Sequence, residues 1–506
     1  MKRVLQLVCL LLALVMVLTA LAACGNSDTG KSSETKAAES GDQQGQETQG
    51  GDETGEQRIL PNIPASADFK DETIDFLCWY VNGWVDTVRM YRDIASDGPT
   101  GDLVNDAVYD RNSFIEEQYK VKIVMELQTQ SDLVTTAKNT VLGGSCEYEV
   151  IYPRLLEFSG LLQSEIFQNL YDVPYMDFEK PWWDQNSIDN LDIMGTLYLV
   201  AGSLNVNDKD ATAALAFSKD ACKDHELEYF YDDVLNYEWT YAKLDAYCQS
   251  IGDPDLNGDG NGTADEEDFW AFLGKNDVST SFFHGSGSRI ITRDPSDGYL
   301  LFSIGTDRDV DAMDFIGDLM NSDYFYNHHK TGIDDATYTK MFETGHGLFF
   351  WMRLDEVTNM RSSSVEFGIL PIPMFEEEQH QYYSTVSQHT TGLLSIPTTN
   401  IGDTLSMTGM VLEALAADSY YGLTTAYIDQ SLKTKYSNDM ESRDMLDIIF
   451  NSRVFDPGLY FRFGSFDTTL QELGPKHGSL VTAVESARSS VETAIEKFLD
   501  KLGAFQ

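Results

Sequence analysis

An α/β fold built on a parallel sheet is predicted for the body of this chain, on three observations. Near-continuous apolar runs of strand length alternate with segments whose apolar residues recur every three or four positions. The first five of these follow the order strand, helix, strand, helix, strand, which calls for crossover connections and parallel pairing. A stretch lacking aromatic and branched aliphatic residues, 25–58, separates this body from a short apolar N-terminus.

The elements follow in order. Residues 74–81 read Ile-Asp-Phe-Leu-Cys-Trp-Tyr-Val, the run expected of a strand covered on both faces. Val104, Ala107, Val108, Arg111, Ile115 and Tyr119 mark one face of a helix. Residues 121–127 form a second strand, 133–142 a second helix and 148–152 a third strand. Helical spacing returns at Leu244, Tyr247, Cys248 and Ile251, then at Met407, Met410, Val411 and Ala414. It recurs at Met445, Leu446 and Ile449, and in a last helix carrying Val484, Val491, Ile495, Phe498 and Leu499.

The N-terminus carries an address. Lys2 and Arg3 precede an apolar stretch from Val4 to Leu18, and small residues lead to Leu21-Ala22-Ala23-Cys24. Residues 1–23 therefore read as a secretory signal peptide. The ending resembles the lipobox of bacterial lipoproteins, which implies a diacylated Cys24 as the mature first residue. Two acyl chains give stable anchoring where one does not. Residues 24–58 are then the lipidated cysteine and a tether too poor in apolar surface to fold. The expected location is the extracellular face of the plasma membrane.

Charge and cysteines narrow the partners. Against 35 basic residues stand 82 acidic ones, a formal charge of −47. Such a field repels nucleic acid and anionic headgroups, so neither is expected as a partner, and the membrane is reached through the lipid only. Cys78, Cys146, Cys222 and Cys248 remain beyond the anchor. A Cys222–Cys248 disulfide stays open, with buried thiols favoured by the apolar patterns around Cys78 and Cys248.

One motif names an ion. Asp255, Asn257, Asp259, Gly260, Asn261, Thr263 and Glu266 fit the loop formula D-x-N-x-D-G-x5-E at every defined position. Asp255, Asn257 and Asp259 supply side-chain oxygens, Asn261 a carbonyl and Glu266 a bidentate carboxylate, around the sharp turn at Gly260. A structural Ca2+ is expected. Position eight is Gly262 in place of an aliphatic residue, there is no partner loop, and a second register starts at Asp253 and closes on Asp265 or Glu266.

Catalytic patterns are absent: the chain holds no HExxH, GxSxG, GxxxxGK[ST] or CxxC. No enzyme is expected. Aromatics lie near predicted strand ends and loops at Trp79, Tyr80, Trp84, Trp182, Trp183, Trp351, Tyr382 and Tyr383. Such rings stack on sugar C–H faces, although each also suits a core.

Several stretches in a fixed order carry a family resemblance. They are Val104-Asn-Asp-Ala-Val-Tyr-Asp-Arg111 leading to Glu116-Glu-Gln-Tyr119, Tyr148-Glu-Val-Ile-Tyr152 and Pro181-Trp-Trp-Asp-Gln185. Tyr237-Glu-Trp-Thr240, Phe367-Gly-Ile-Leu-Pro-Ile-Pro373 and Lys435-Tyr-Ser-Asn-Asp439 follow. The chain resembles the bacterial extracellular solute-binding proteins, lipid-anchored receptors of carbohydrate ABC importers. The resemblance implies a two-lobed periplasmic-binding-protein-like clamshell of type II, each lobe a sheet flanked by helices. It places 59–205 plus 365–430 in lobe 1 and 206–364 plus 431–506 in lobe 2. It also implies a cleft ligand, a mono- or oligosaccharide, held by Tyr80, Trp84, Tyr152 and Arg154 on one side and Trp351 and Arg353 on the other. A permease partner and a monomeric receptor go with it. Two other classes, a cell-surface glycan-degrading or glycan-adhesion protein and a peptide receptor of the same fold, remain open at this point.

Overall fold

The computed structural model describes residues 58–80, 93–252, 265–360, 363–432 and 440–503. Residues 59–506 form one compact unit, and the segment before it is a separate unit.

The predicted alternation holds in the first third of the body. Strand β1 (Glu72–Tyr80), helix α1 (Leu103–Tyr119), β2 (Val121–Thr129), α2 (Gln130–Leu142) and β3 (Val150–Tyr152) follow one another. The strands form a three-stranded sheet of order β2-β1-β3, parallel throughout, with Ile74 opposite Ile123 and Leu77 opposite Ile151. Asp102 and Thr129 cap α1 and α2, each accepting a backbone N–H of the first turn. Arg111, on the apolar side of α1, is buried and donates to the carbonyls of Ile94 and Leu204 and to Ser419 Oγ. It staples α1 to two distant stretches of chain.

Beyond β3, α3 (Leu155–Leu162) leads towards a second, mixed sheet. Its strands are β4 (Ala213–Ser218), β5 (Trp270–Gly274), β6 (Phe325–Asn327), β7 (Gly347–Arg353) and β8 (Phe367–Leu370), in the order β6-β5-β7-β4-β8. The β6, β5 and β7 strands run parallel, while β4 is antiparallel to both β7 and β8. Before β5, α4 (Tyr241–Ile251) matches the helix read at Leu244 to Ile251; after it comes α5 (Asp277–Gly285).

The expected lobe boundary at 364/365 needs one correction. Strand β8 lies inside 365–430, yet it pairs with β4 in the second sheet. The chain returns to the first sheet only after Leu370, where Ser395 bridges Ile151 and Gly392 bridges Arg154. Helix α6 (Gly402–Tyr421) then packs on α1, and α7 (Met440–Asn451) packs on β8. The chain ends in α8 (Phe466–Lys476), against α5, and the long α9 (Leu480–Gly503).

Three connecting segments run side by side between the sheets. Thr212 bridges Val386, and β9 (Ser384–Thr385) pairs in parallel with β10 (Arg453–Val454). Buried Arg453 pins this seam by pairing with Asp184 and, at 2.6 Å, with Asp208. Trp182 and Trp183 are core residues, and Cys78, Cys222 and Cys248 are buried free thiols. No helix of the described residues is long and apolar enough to cross a membrane.

Candidate functional site

The cleft of interest opens where β7 ends. Its sequence, Gly-Leu-Phe-Phe-Trp-Met-Arg, is buried almost throughout, and alternation sends its side chains to opposite faces of the sheet. Phe349 and Trp351 join one hydrophobic cluster and Phe350 and Met352 another, so Arg353 leaves the strand on the Trp351 side. Trp351 and Arg353 both line a narrow, largely closed cleft.

Two helices and one extended segment complete the wall. Spacings of three and four bring Asp277, Thr280 and Ser281 of α5 to the cleft, and a spacing of four brings Asp467 and Gln471 of α8. The segment from β9 contributes Thr385, Ser387, Gln388 and His389. Apart from Trp351 and Ala213, every lining side chain is polar. Hydroxyls and carboxamides outnumber charges, which suits a neutral ligand rich in hydroxyl groups.

Electrostatics keep those charges internal. Arg353 lies 3.3 Å from Asp355 and 3.9 Å from Glu356. Burial works against its charge, but these carboxylates and Asp277 outweigh burial and hold the guanidinium above its ordinary range. Lys275 stands 2.8 Å from Asp335 and 3.5 Å from Glu356 in the same network. Burial also lowers His389, aided by Arg154 and Arg462 and opposed by Asp277 and Asp467, so its imidazole is neutral at pH 7.

The predicted residues separate into groups. Trp351 and Arg353 line the cleft, although Trp351 is only 2 % exposed and offers little open ring face. Arg154 lies just behind it, at the start of α3. It pairs with Glu157 and covers Trp79 at 5.6 Å, while Leu156 N–H donates to the Gln388 carbonyl at 3.2 Å. Tyr152 is not a wall residue; it is buried and stacked on Phe76. Tyr80 lines a different, shallow groove with Gln128, Thr129 and Asp132, because β1 ends against the start of α2. Trp84 lies outside the described residues, as do Asp255, Asn257, Asp259 and Asn261 of the acidic loop. Glu266 is described and exposed, 15 positions after α4 ends at Ile251 and four before β5 begins. The described residues contain no cluster of three or more metal-ligating side chains.

Sequence reasoning missed the larger part of the wall: Asp277, Thr280, Ser281, Asp467, Gln471 and the Thr385–His389 segment. A signal did exist for the last, since Ser387-Gln-His-Thr-Thr391 is a polar run between the apolar residues Val386 and Leu393.

No family model matches the chain, and no curated protein matches it. Solved structures do, and they show the fold: the chain has the mixed α/β fold seen in sugar-binding proteins of ABC transporters. A cyclo/maltodextrin-binding protein complexed with maltotetraose aligns with a TM-score of 0.54 at 9% identity, over 85% of this chain and 98% of that one. The GacH receptor of Streptomyces glaucescens, solved unliganded and with acarbose, gives 0.52 at 12% identity over 84% and 99%. An ABC substrate-binding protein from Listeria monocytogenes, in complex with cycloalternan, gives 0.51 at 10% identity over 86% and 99%.

Proposed function

We propose that this protein is a lipid-anchored extracellular receptor that captures a carbohydrate and delivers it to an ABC importer, without catalysing a reaction. The observation that carries the reading is the composition of the cleft wall. Neutral hydroxyl and carboxamide side chains from α5, α8 and the Thr385–His389 segment surround the end of a strand bearing Trp351 and Arg353. Ligands of α/β sheets gather outside the C-terminal ends of strands, and β5 and β7 are parallel there.

Capture works by closing the cleft. The seam of β9, β10 and Thr212 is where the two sheets are joined, and rotation about it changes the distance between α3 and the second sheet. A solute that touches both sides favours the closed form by its differential affinity. Cys24 and the 24–58 tether keep the receptor beside its permease, and a monomer suffices for this cycle. The oxygen-rich loop from Asp255 to Glu266 binds a structural Ca2+ of extracellular-module affinity, on the order of 10⁻⁴–10⁻³ M.

Calorimetry with mono- and oligosaccharides, and with peptides as controls, tests the reading. Saturable one-to-one sugar binding with a change in tryptophan fluorescence is expected. Binding of peptides alone, or release of free sugar from glycans, would overturn it. For the ion, heat on adding Ca2+ and a lower melting temperature in chelator are expected; neither change would remove the calcium loop.

A further inference from the structure

Behind the cleft wall lies a buried relay of three side chains. His284, on α5, is fully buried, with Nδ1 2.8 Å from Thr385 Oγ1 and Nε2 3.1 Å from Asp456 Oδ2. Asp456 is also fully buried, just beyond β10. Its Oδ2 accepts from Ile290 N–H at 2.7 Å, and its Oδ1 from Gly458 N–H at 2.7 Å and Ile291 N–H at 3.2 Å.

Hydrogen-bond accounting and burial together assign the protons in this chain of groups. A carboxylate facing three backbone N–H groups is acceptor-only. Burial raises the Asp456 carboxyl, but His284 and those N–H groups prevail and hold it below its ordinary value. Nε2 of His284 must then carry a hydrogen. Burial lowers the imidazole despite Asp456, so the ring is neutral and Nδ1 is a bare lone pair. The Thr385 hydroxyl therefore donates to Nδ1.

We propose that Asp456 and His284 fix Thr385 as an acceptor-only oxygen on the cleft wall, so that the captured molecule must place an O–H or N–H donor against it. Thr280, Ser281 and Ser387 carry hydroxyls that rotate to donate or accept, whereas Thr385 has a set polarity. The inference rests on the cleft being the solute site, and it gives that site one directional requirement. A ligand with an ether, a methyl or a carbonyl at that point is rejected, because both oxygens would face each other with lone pairs.

Two measurements on the full-length protein test this. Long-range proton–nitrogen NMR of the histidine rings, with His284 assigned by its loss in H284Q, should show a pyrrole-type Nε2 and a pyridine-type Nδ1 at pH 7. A protonated Nδ1 or an imidazolium would overturn the relay. Maltotriose is the binding probe. Thr385→Val, equal in shape, should lose on the order of ten- to a hundredfold, and Thr385→Ser, which restores the hydroxyl, should recover most of that loss. Equal affinity of Thr385→Val and wild type would overturn the directional requirement. If maltotriose does not bind the wild type, the carbohydrate reading is what suffers, while the NMR result still decides the relay.

Discussion

Replacing Glu413 by Gln should flatten the dependence of this protein's stability on pH, with a size that follows from the surroundings of one carboxyl. Glu413 lies on α6 with no exposed surface; its Oε2 accepts from Trp183 Nε1 at 3.0 Å and from Asp177 N–H at 3.3 Å. Its Oε1 has no hydrogen-bond partner. Burial pushes the group up to about 7, with the Trp183 and Asp177 bonds only partly opposing. In the unfolded chain a glutamate titrates near 4.3. The native state therefore holds the proton more tightly, and stability falls as pH rises between those two values. At about 1.4 kcal/mol per pH unit, the loss between pH 5 and pH 8 is about 2.5 kcal/mol. Gln keeps an acceptor for both N–H groups and has nothing to ionise, so the loss disappears. A body this size changes entropy by roughly 2 cal/mol/K per residue, so the variant's melting temperature should gain about 2–3 °C on wild type between pH 5 and pH 8. Both values lie above the sequence pI of about 4.2. Thermal melts followed by circular dichroism at the two pH values suffice. A constant difference between wild type and variant, or one that shrinks with rising pH, would refute the argument.

Other outcomes follow from single contacts. Arg453→Met leaves buried Asp184 and Asp208 without their shared cation and should cost about 3 kcal/mol or more, read from denaturant unfolding. Gly409→Ala drives a Cβ to 1.9 Å from the Pro174 carbonyl oxygen, so α6 must shift; about 1–3 kcal/mol of destabilisation is expected from the same assay. Arg154→Ala and Trp351→Ala should each weaken sugar binding in calorimetry, and unchanged affinity in both would argue against this cleft. Cys24→Ser should release a receptor that still binds its solute but supports uptake poorly, as measured with labelled sugar in cells.

The first sheet was legible because its strands are largely apolar runs and its helices keep a clean spacing of three and four. Position 111 shows the limit: an arginine on that apolar face reads as tolerated, and only the fold reveals the five acceptors it reaches. The second sheet was harder, since the antiparallel placing of β4 between β7 and β8 depends on pairings across more than a hundred residues. Phe367-Gly-Ile-Leu370 looks the same in sequence whichever sheet receives it. At the cleft, Trp351 and Arg353 came from the family resemblance, as residues following the Gly-Leu-Phe-Phe strand. Tyr80 ended a strand too, but α2 begins where an open end was expected. The Thr385–His389 segment follows no period, so its only trace was a polar run between two apolar residues.

The way the chain returns to β3 has a consequence for how the protein comes to be folded. Ser395 Oγ donates to the Ile151 carbonyl across 244 positions, and Asn400 reaches the Glu149 carbonyl across 251. Everything between those positions, including all of the second sheet, is synthesised before the first sheet can be finished. The N-terminal third is thus held back as an incomplete folding unit, and such non-local closure slows the search for the native state. An ordering that closes the first sheet last suits a polypeptide that is to be threaded through a membrane before it folds.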